Sequence, residues 1–319
     1  MTTLMPTFQE RVEGGLLGLL IGDALGVPYE FKTSSQLPAR DELEFEPPST
    51  FRRSHARVPP GTWSDDGAQA LCLLASLQAR GTFDADDFAQ RLVAWLDRGY
   101  MAVDERVFDV GIQTRSVLRD IGRGVPALEA TRRDENGNGN GSLMRVLPLA
   151  LWHRGSDSEL VREARLSSEV THGHVRSQLC CALYCLWVRE FLAGVTGPSS
   201  AWDRALSKLE PALRASDSEA RTELNTVLLP ELSQRGTGTG YVVDTLRSVK
   251  TLMAAASDVE TVLKGAVLLG NDTDTTAAVA GGVVGVREGV HGIPTRWREA
   301  LRGRELLEPL LSALLLRGP

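Results

Sequence analysis

Residues 13–26 read EGGLLGLLIGDALG, and this glycine-rich apolar run is the strongest packing signal in the chain. Its small residues recur at helical spacing, which allows a second helix to approach the backbone closely. The glycines are Gly14, Gly15, Gly18, Gly22 and Gly26. The run therefore predicts a helix that packs tightly against another helix.

Asp23 lies inside this apolar surface. Because burying an unpaired carboxylate is costly, we expect Asp23 to bind a neighbouring backbone rather than a metal directly. The apolar stretch 14–27 is too short to span a bilayer, and Asp23 interrupts it. The first residues lack the basic segment of a signal peptide, so we expect none. These features predict a cytoplasmic protein without a membrane partner.

Helical periodicity dominates the rest of the chain. Apolar residues recur at three and four positions in residues 9–26, 67–79, 85–97, 106–121, 142–153, 159–170, 174–193, 241–255, 259–269, 274–286 and 305–316. No stretch alternates in the manner of a strand, so we expect no sheet. The loops 33–62, 131–141 and 233–240 are too short and too weakly biased in composition to be domain linkers. We predict an all-α fold with a single domain, residues 1–319.

The composition excludes several classes of protein. The 319 residues carry a net charge of −6, whereas a general nucleic-acid surface is basic. The cysteines form no CxxC pair, so neither a disulfide framework nor a zinc site is expected. They are Cys72, Cys180, Cys181 and Cys185, and we interpret them as small buried residues. The oligomeric state stays open, with a monomer favoured.

Two acidic segments precede apolar helices. Ser64-Asp65-Asp66 comes before GAQALCLLASL, and Asp272-Thr273-Asp274-Thr275 comes before TAAVAGGVVG. Such residues can cap the free N–H groups of a helix start, and capping alone explains one carboxylate in each segment. Each segment supplies two, however, and carboxylates held together repel one another unless a cation offsets their charge.

The donor atoms of these segments are all oxygens. Hard cations such as Mg²⁺ and Mn²⁺ prefer oxygen ligands, whereas zinc prefers His or Cys. Four carboxylates suggest two ions rather than one. The sequence therefore predicts a site for two Mg²⁺ or Mn²⁺ ions.

A glycine-rich segment, NGNGNGS at residues 136–142, leads into the apolar run LMRVLPLALW. Glycines let backbone N–H groups approach a ligand, and a helix start favours negative charge, so the segment suits a phosphate or diphosphate. Asn-Gly runs are also ordinary turns. Arg145, which follows one turn later, could pair with a site carboxylate or brace the helices.

Four further residues are site candidates, each with a plainer alternative. Glu30 follows the first helix in a loop, where catalytic groups are common, although solvation explains it equally well. Asp109 opens the predicted helix 106–121 as a cap or a site acid. For His172 and His174, helix-start packing or contact with a ligand base or ribose is favoured over metal binding.

These segments, in this order, resemble the ADP-ribosylglycohydrolase family, which includes the dinitrogenase reductase-activating glycohydrolases and the J-type crystallin relatives. The matching pieces are GLLIGDALGVPYEF, WSDDGAQALCL, FDVGIQT, NGNGSLMRVLPLAL, THGH and LLGNDTDTTAAVAGGVVGV. The likeness extends from about Val12 to about Gly289. It implies a compact orthogonal multi-helix bundle with a dinuclear Mg²⁺ or Mn²⁺ centre.

The resemblance also implies roles for individual residues. The family's metal ligands match Ser64, Asp65, Asp66, Asp272, Asp274 and Thr275. Its phosphate-binding and ribose-lining stretches match Asn138, Gly139, Asn140, Gly141, Ser142, His172 and His174. Asp109 matches an acid implicated in catalysis in arginine-specific members, and Glu30 a carboxylate that approaches the metals or gates the site. Members commonly have Thr where this chain has Ser64 and Gly67.

The implied function is hydrolysis of the glycosidic bond that links ADP-ribose to a protein side chain or a small molecule, arginine-linked in preference to serine-linked. Asp65 and Asp66 would hold the metals at the reacting sugar, and Asp109 or Glu30 would transfer the proton. Two alternatives stay open. The carboxylates would also serve a dinuclear phosphoester hydrolase, and a non-catalytic ADP-ribose-binding or crystallin-like protein could share the fold.

Overall fold

The computed structural model describes residues 5–318 as helices joined by loops and short turns. The helices are α1 (Phe8–Gly26), α2 (Asp65–Arg80), α3 (Ala85–Arg98), α4 (Ile112–Gly122), α5 (Ala127–Ala130), α6 (Leu147–Trp152), α7 (Asp157–Glu169), α8 (Val175–Leu192), α9 (Pro198–Ala212), α10 (Ser218–Glu223), α11 (Leu229–Leu232), α12 (Val242–Ala255), α13 (Val259–Val267), α14 (Thr273–Glu288), α15 (Thr295–Ala300) and α16 (Arg304–Leu315). Within residues 5–318 there are isolated β-bridges but no sheet, so the predicted all-α fold is confirmed.

Helix α1 begins at a capping box and continues into the core. The N–H of Glu10 donates to Thr7 Oγ1, and the N–H of Thr7 donates to the Glu10 carboxylate, which satisfies two free donors. Every residue from Gly14 to Gly26 is buried. By length and composition the segment Phe8–Tyr29 could cross a membrane, but 94% of its apolar window is buried inside the structure. This burial is typical of a core helix.

Helices α1 and α14 pack backbone to backbone through glycines. A Cβ on Gly18 would lie 2.2 Å from the carbonyl oxygen of Gly281, a distance at which no side chain fits. The predicted close approach of a second helix is therefore confirmed. At the end of α1, a Cβ on Gly26 would lie 2.3 Å from Cα of Asp274. The contact thus fixes the start of α14 against the end of α1.

The other helices enclose this pair in a continuous hydrophobic core. Helix α8 is buried along nearly its whole length and packs against α7 and α9. The four cysteines are buried and free, as predicted. A continuous core is what a single domain requires, although the single domain predicted over residues 1–319 stays a prediction.

Two predicted helix starts are wrong, and both affect the site. Helix α4 begins at Ile112 rather than at residue 106, because Asp109 has a φ of 54° that an α-helix cannot include. Helix α6 begins at Leu147 rather than at residue 142, because Pro148 fits only the first turn of a helix. Asp109 and the glycine-rich segment therefore lie in loops.

Candidate active site

At the start of α2, an aspartate from another helix caps free N–H groups, so Asp65 and Asp66 do not have to cap them. Asp23 of α1 accepts hydrogen bonds from the backbone N–H of Ser64, at 2.8 and 3.0 Å to its two oxygens, and from that of Gly67 at 2.8 Å. The predicted role of Asp23 as the partner of a neighbouring backbone is confirmed. Burial raises the pKa of Asp23 to about 7.

Asp65 is oriented from inside the protein by a chain of polar side chains. Gln69 Nε2 donates to Asp65 Oδ2 at 2.9 Å, and Arg145 Nη1 donates to Gln69 Oε1 at 2.7 Å. Arg145 Nη2 donates to Thr171 Oγ1 at 2.7 Å. Of the two roles predicted for Arg145, the structure supports the brace, since its hydrogen bonds fix Gln69 behind the carboxylate.

The start of α14 meets the start of α2. Thr275 Oγ1 donates to Asp66 Oδ1 at 3.3 Å, which joins the two acidic segments directly. Asp272 precedes α14, and its Oδ2 accepts a hydrogen bond from Asn140 Nδ2 at 2.8 Å. Asn140 therefore orients Asp272 in the way that Gln69 orients Asp65.

Two loop carboxylates complete the group. Glu30 follows a 3₁₀ turn after α1 and offers an oxygen within 4.8 Å of oxygens of Asp272 and Asp274. Asp109, in the loop before α4, offers one within 4.8 Å of ligand atoms of Glu30 and His55. The fold thus brings both predicted catalytic acids to the acidic segments.

His55 is a residue of this group that sequence reasoning missed. Its Nε2 lies 2.7 Å from Glu30 Oε2. It belongs to the Pro- and Arg-rich loop 33–62, where nothing in its spacing or neighbours distinguishes it from a solvated residue. Only the folded loop shows its proximity to Glu30.

Burial and mutual repulsion make these carboxylates costly in the absence of a cation. Burial raises the pKa values of Asp65, Asp66 and Asp274 well above their usual range, and neighbouring carboxylates raise them further. The same two causes raise the pKa of Glu30 to about 11. Asp66 Oδ2 and Asp274 Oδ2 are buried without a hydrogen-bond partner in the described part of the chain. Such oxygens fit a bound cation.

The chemistry of the donors is consistent with this fit. The two helix starts offer only oxygen atoms, from the side chains of Ser64, Asp65, Asp66, Asp272, Asp274 and Thr275. Mg²⁺ and Mn²⁺ prefer such a set, whereas a zinc site usually includes nitrogen or sulfur. These residues could therefore hold hard metal ions.

A cavity of about 370 Å³ adjoins the acidic group, within the ~300–1,000 Å³ range of small-molecule pockets. The predicted site residues that line it are Glu30, Asp65, Asp66, Asp109, Gly139, Asn140, Gly141, His172, Asp272 and Thr275. The start of α4, Asn136 and Met144 supply the rest of the lining. The fold thus brings carboxylates and the glycine-rich segment to one cavity.

Three further predicted residues are buried outside the lining. Ser64 and Asp274 lie at the two helix starts and are at most 3% exposed. Ser142 is fully buried, and its Oγ accepts a hydrogen bond from Ser168 Oγ at 2.8 Å. Ser142 therefore holds the glycine-rich segment to α7, and its contact with a substrate stays a prediction that this geometry does not support.

Asn138 and His174 are also engaged elsewhere. Asn138 Oδ1 accepts a hydrogen bond from Ser177 Oγ at 3.0 Å. His174 caps α8, since its Nδ1 accepts from the N–H of Arg176 at 3.2 Å. Their predicted contact with a substrate likewise stays a prediction. For His174, the helix-start alternative describes its position.

The glycine-rich segment is held by a second loop rather than by a helix start. The N–H of Asn140 donates to the carbonyl of Gly240 at 3.0 Å. A Cβ on Gly141 would lie 2.9 Å from His172 Cε1, so glycine makes room for the imidazole. Burial lowers the pKa of His172 to about 3, which leaves its ring neutral at neutral pH. His172 therefore offers a ligand a neutral ring and no positive charge.

Comparisons with known proteins agree with these observations. The family model described as ADP-ribosylglycohydrolase matches residues 4–318. The ADP-ribosylarginine hydrolase Tri1 of Pseudomonas putida is 30% identical over 314 residues, which cover 97% of this chain and 79% of that protein. The ADP-ribosyl-dinitrogen reductase glycohydrolase of Rhodospirillum rubrum is 28% identical, covering 98% of each. A solved structure described as an ADP-ribosylglycohydrolase-related protein complex has a TM-score of 0.76 and 32% identity, and the match covers 98% of this chain and 99% of that one.

Proposed function

Because this chain belongs to the ADP-ribosylglycohydrolase family, we propose that it hydrolyses the N-glycosidic bond between ADP-ribose and an arginine side chain. The family resemblance seen in the sequence is confirmed, and so is the expectation of a glycosyl-bond hydrolase. One observation carries the proposal most strongly: the two acidic helix starts meet, and buried carboxylate oxygens of Asp66 and Asp274 have no hydrogen-bond partner among residues 5–318.

The proposed enzyme depends on two Mg²⁺ or Mn²⁺ ions. The residues that would hold them are Ser64, Asp65, Asp66, Asp272, Asp274 and Thr275. When bound, the ions supply charge that orients ribose hydroxyls and activates water. Gln69 and Asn140 would keep Asp65 and Asp272 in their ligating orientations through the hydrogen bonds described above.

Proton transfer in this proposal belongs to the loop carboxylates. In the reaction, the bond from the ribose anomeric carbon to the guanidine nitrogen breaks, and a bond to a water oxygen forms. Asp109 or Glu30 would take the proton that the water loses and return one proton to the released guanidine nitrogen, so that no proton is gained or lost overall. Both carboxylates line the cavity, so either could approach the reacting atoms. Such transfer is typically worth ~10²–10⁴-fold in rate.

An arginine acceptor fits the charge of the cavity better than a neutral one. Glu30 and Asp109 add two carboxylates to the four of the helix starts, so the negative charge can exceed that of two divalent cations. A guanidinium-linked substrate would offset the excess. A serine-linked O-glycoside, which carries no such charge, is the second candidate substrate class.

The proposed substrate is an ADP-ribosylated protein or small molecule, with the ADP-ribose diphosphate near Gly139 and Gly141. We place the enzyme in the cytoplasm as a monomer that binds neither membranes nor nucleic acids. The net charge of −6 and the buried α1 support this assignment.

Release of free ADP-ribose tests the proposal directly. The purified protein would be incubated with ADP-ribosyl-arginine, ADP-ribosyl-serine and a simple phosphate ester, each with Mg²⁺, Mn²⁺ or EDTA. We expect release from the arginine conjugate with either metal and none with EDTA. Turnover of the phosphate ester alone would favour the phosphoester hydrolase. Binding of ADP-ribose without turnover of any substrate would favour a non-catalytic protein.

A further inference from the structure

His55 contacts a carboxylate of the site without lining the cavity. Its Nε2 lies 2.7 Å from Glu30 Oε2, and the two side chains are only 15% and 6% exposed. In the described part of the chain, no other nitrogen hydrogen-bonds to the Glu30 carboxylate. The imidazole is therefore well placed to determine where this carboxylate lies.

The imidazole is itself held firmly. Its ring packs against those of Phe31 and Phe108, with centroids 5.8 and 5.2 Å away. The preceding residue, Ser54, donates its hydroxyl to the carbonyl oxygen of Glu30. The loop of His55 is thus attached to both the backbone and the side chain of Glu30.

Backbone strain concentrates around the same contact. His55 and Asp109 have φ values of 48° and 54°, and Phe31, next to Glu30, has a φ of 62°. Residues other than glycine adopt this region only at an energetic cost, and they persist there when the surroundings fix them. Three such residues close to the contact between His55 and Glu30 indicate that tertiary contacts hold these side chains in defined positions.

Glu30 needs such a partner because its other neighbours repel it. Glu30 lies in a loop, and its carboxyl group offers an oxygen within 4.8 Å of carboxylate oxygens of Asp109, Asp272 and Asp274. Repulsion favours a conformation in which the side chain turns away from the cavity. The 2.7 Å hydrogen bond between His55 Nε2 and Glu30 Oε2 would oppose that movement.

We infer that His55 is a positioning residue that holds the Glu30 carboxylate in the cavity, where Glu30 serves proton transfer. The role of Glu30 in proton transfer rests on the proposed function, whereas the position of its carboxyl group does not. His55 acts through Glu30 and does not itself touch the substrate.

Two substitutions separate hydrogen bonding from packing. His55→Phe keeps an aromatic ring next to Phe31 and Phe108 but removes the hydrogen-bonding nitrogen, whereas His55→Gln keeps an amide that can hydrogen-bond to Glu30. We expect kcat for ADP-ribose release to fall about 10–100-fold in His55→Phe, the usual loss when a partner behind a site residue is removed, with little change in KM. His55→Gln should recover most of that loss. His291→Phe, at an exposed histidine, is the matched control and should retain wild-type kcat.

Crystal structures of the two variants give a readout that needs no activity. We expect the Glu30 carboxylate to turn out of the cavity in His55→Phe and to stay in His55→Gln. Wild-type kcat in His55→Phe, equal losses in both variants, or an unmoved Glu30 in His55→Phe would each overturn the inference. A wild-type enzyme inactive on every ADP-ribosyl substrate would instead refute the proposed function, and the position of Glu30 would still test the role of His55.

Discussion

The starts of α1 and α2 use similar residues for opposite purposes. At α1, the side chains of Thr7 and Glu10 accept hydrogen bonds from free N–H groups at the start of their own helix. At α2, Asp23 from another helix accepts two of those hydrogen bonds, and Asp65 and Asp66 stay available. An acidic helix start is therefore a cap when it binds its own backbone, and a candidate site when a neighbouring helix caps it instead.

The start of α14 follows the pattern of α2. Its preceding residue, Asp272, makes no capping hydrogen bond with its side chain and binds Asn140 instead. Asp274 uses one oxygen for the N–H of Thr275 and leaves the other without a partner in residues 5–318. Both starts thus contribute carboxylate oxygens to the same place.

Removal of one site carboxylate from either helix should have the largest effect. We expect Asp66→Asn and Asp274→Asn each to lower kcat/KM at least about 100-fold, because even indirect partners of a metal cost about 10–100-fold. Both variants should fold, since an amide removes a repelling buried charge. Rates of ADP-ribose release and circular dichroism would check this. Near-normal activity in one variant would mean that its helix start is only a cap.

Loss of an orienting side chain should cost less. Asn140→Ala removes the hydrogen bond to Asp272 and should lower kcat/KM about 10–100-fold, and half-maximal activity should need a higher metal concentration because metal affinity falls. Asn225→Ala is a suitable control, because that side chain is exposed and, within residues 5–318, its amide donates only to the nearby carbonyl of Arg221. Equal activities of the two variants would show that Asp272 needs no orientation.

The metal-free protein should lose stability as the pH rises. Asp23 has its pKa raised from 3.8 to about 7 by burial, and those of Asp65, Asp66 and Asp274 are also raised. Their favourable contribution is complete below pH ~4 and is lost as the pH rises through the folded-state pKa values. We expect Tm without metal to fall between about pH 5 and pH 8, and Mg²⁺ or Mn²⁺ to raise Tm most at pH 8. A metal effect independent of pH would contradict this account.

Removal of the capping hydroxyl of Thr7 should have the smallest effect, a loss of stability without a loss of activity. Thr7→Ala removes the hydroxyl that accepts from Glu10 and should reduce the free energy of unfolding by about 1 kcal/mol. Urea unfolding measures this loss, and kcat/KM should equal that of the wild type. A large loss of activity would remove the distinction between cap and site that the comparison draws.

The sequence predicted the parts of the molecule that depend on regular spacing. Glycines at helical intervals predicted the contact of α1, and paired carboxylates before apolar runs predicted the acidic group. It missed α9, because the buried face of that helix carries only Ala201, Trp202, Ala205 and Leu209. The loops were the hardest part to predict from the sequence. The positions of Asp109 and His55 depend on contacts with distant segments rather than on their neighbours in the chain.

The glycine contact between α1 and α14 couples the site to the whole fold. Because no side chain separates the two backbones at Gly18 and Gly281, the helices have no spare room in which to slide. Asp23 on α1 and Asp274 on α14 lie at the same end of this contact, close to Gly26, and can move apart only if the core itself opens. Loss of the acidic group's arrangement on heating should therefore coincide with global denaturation, so that no softened but still folded intermediate precedes it.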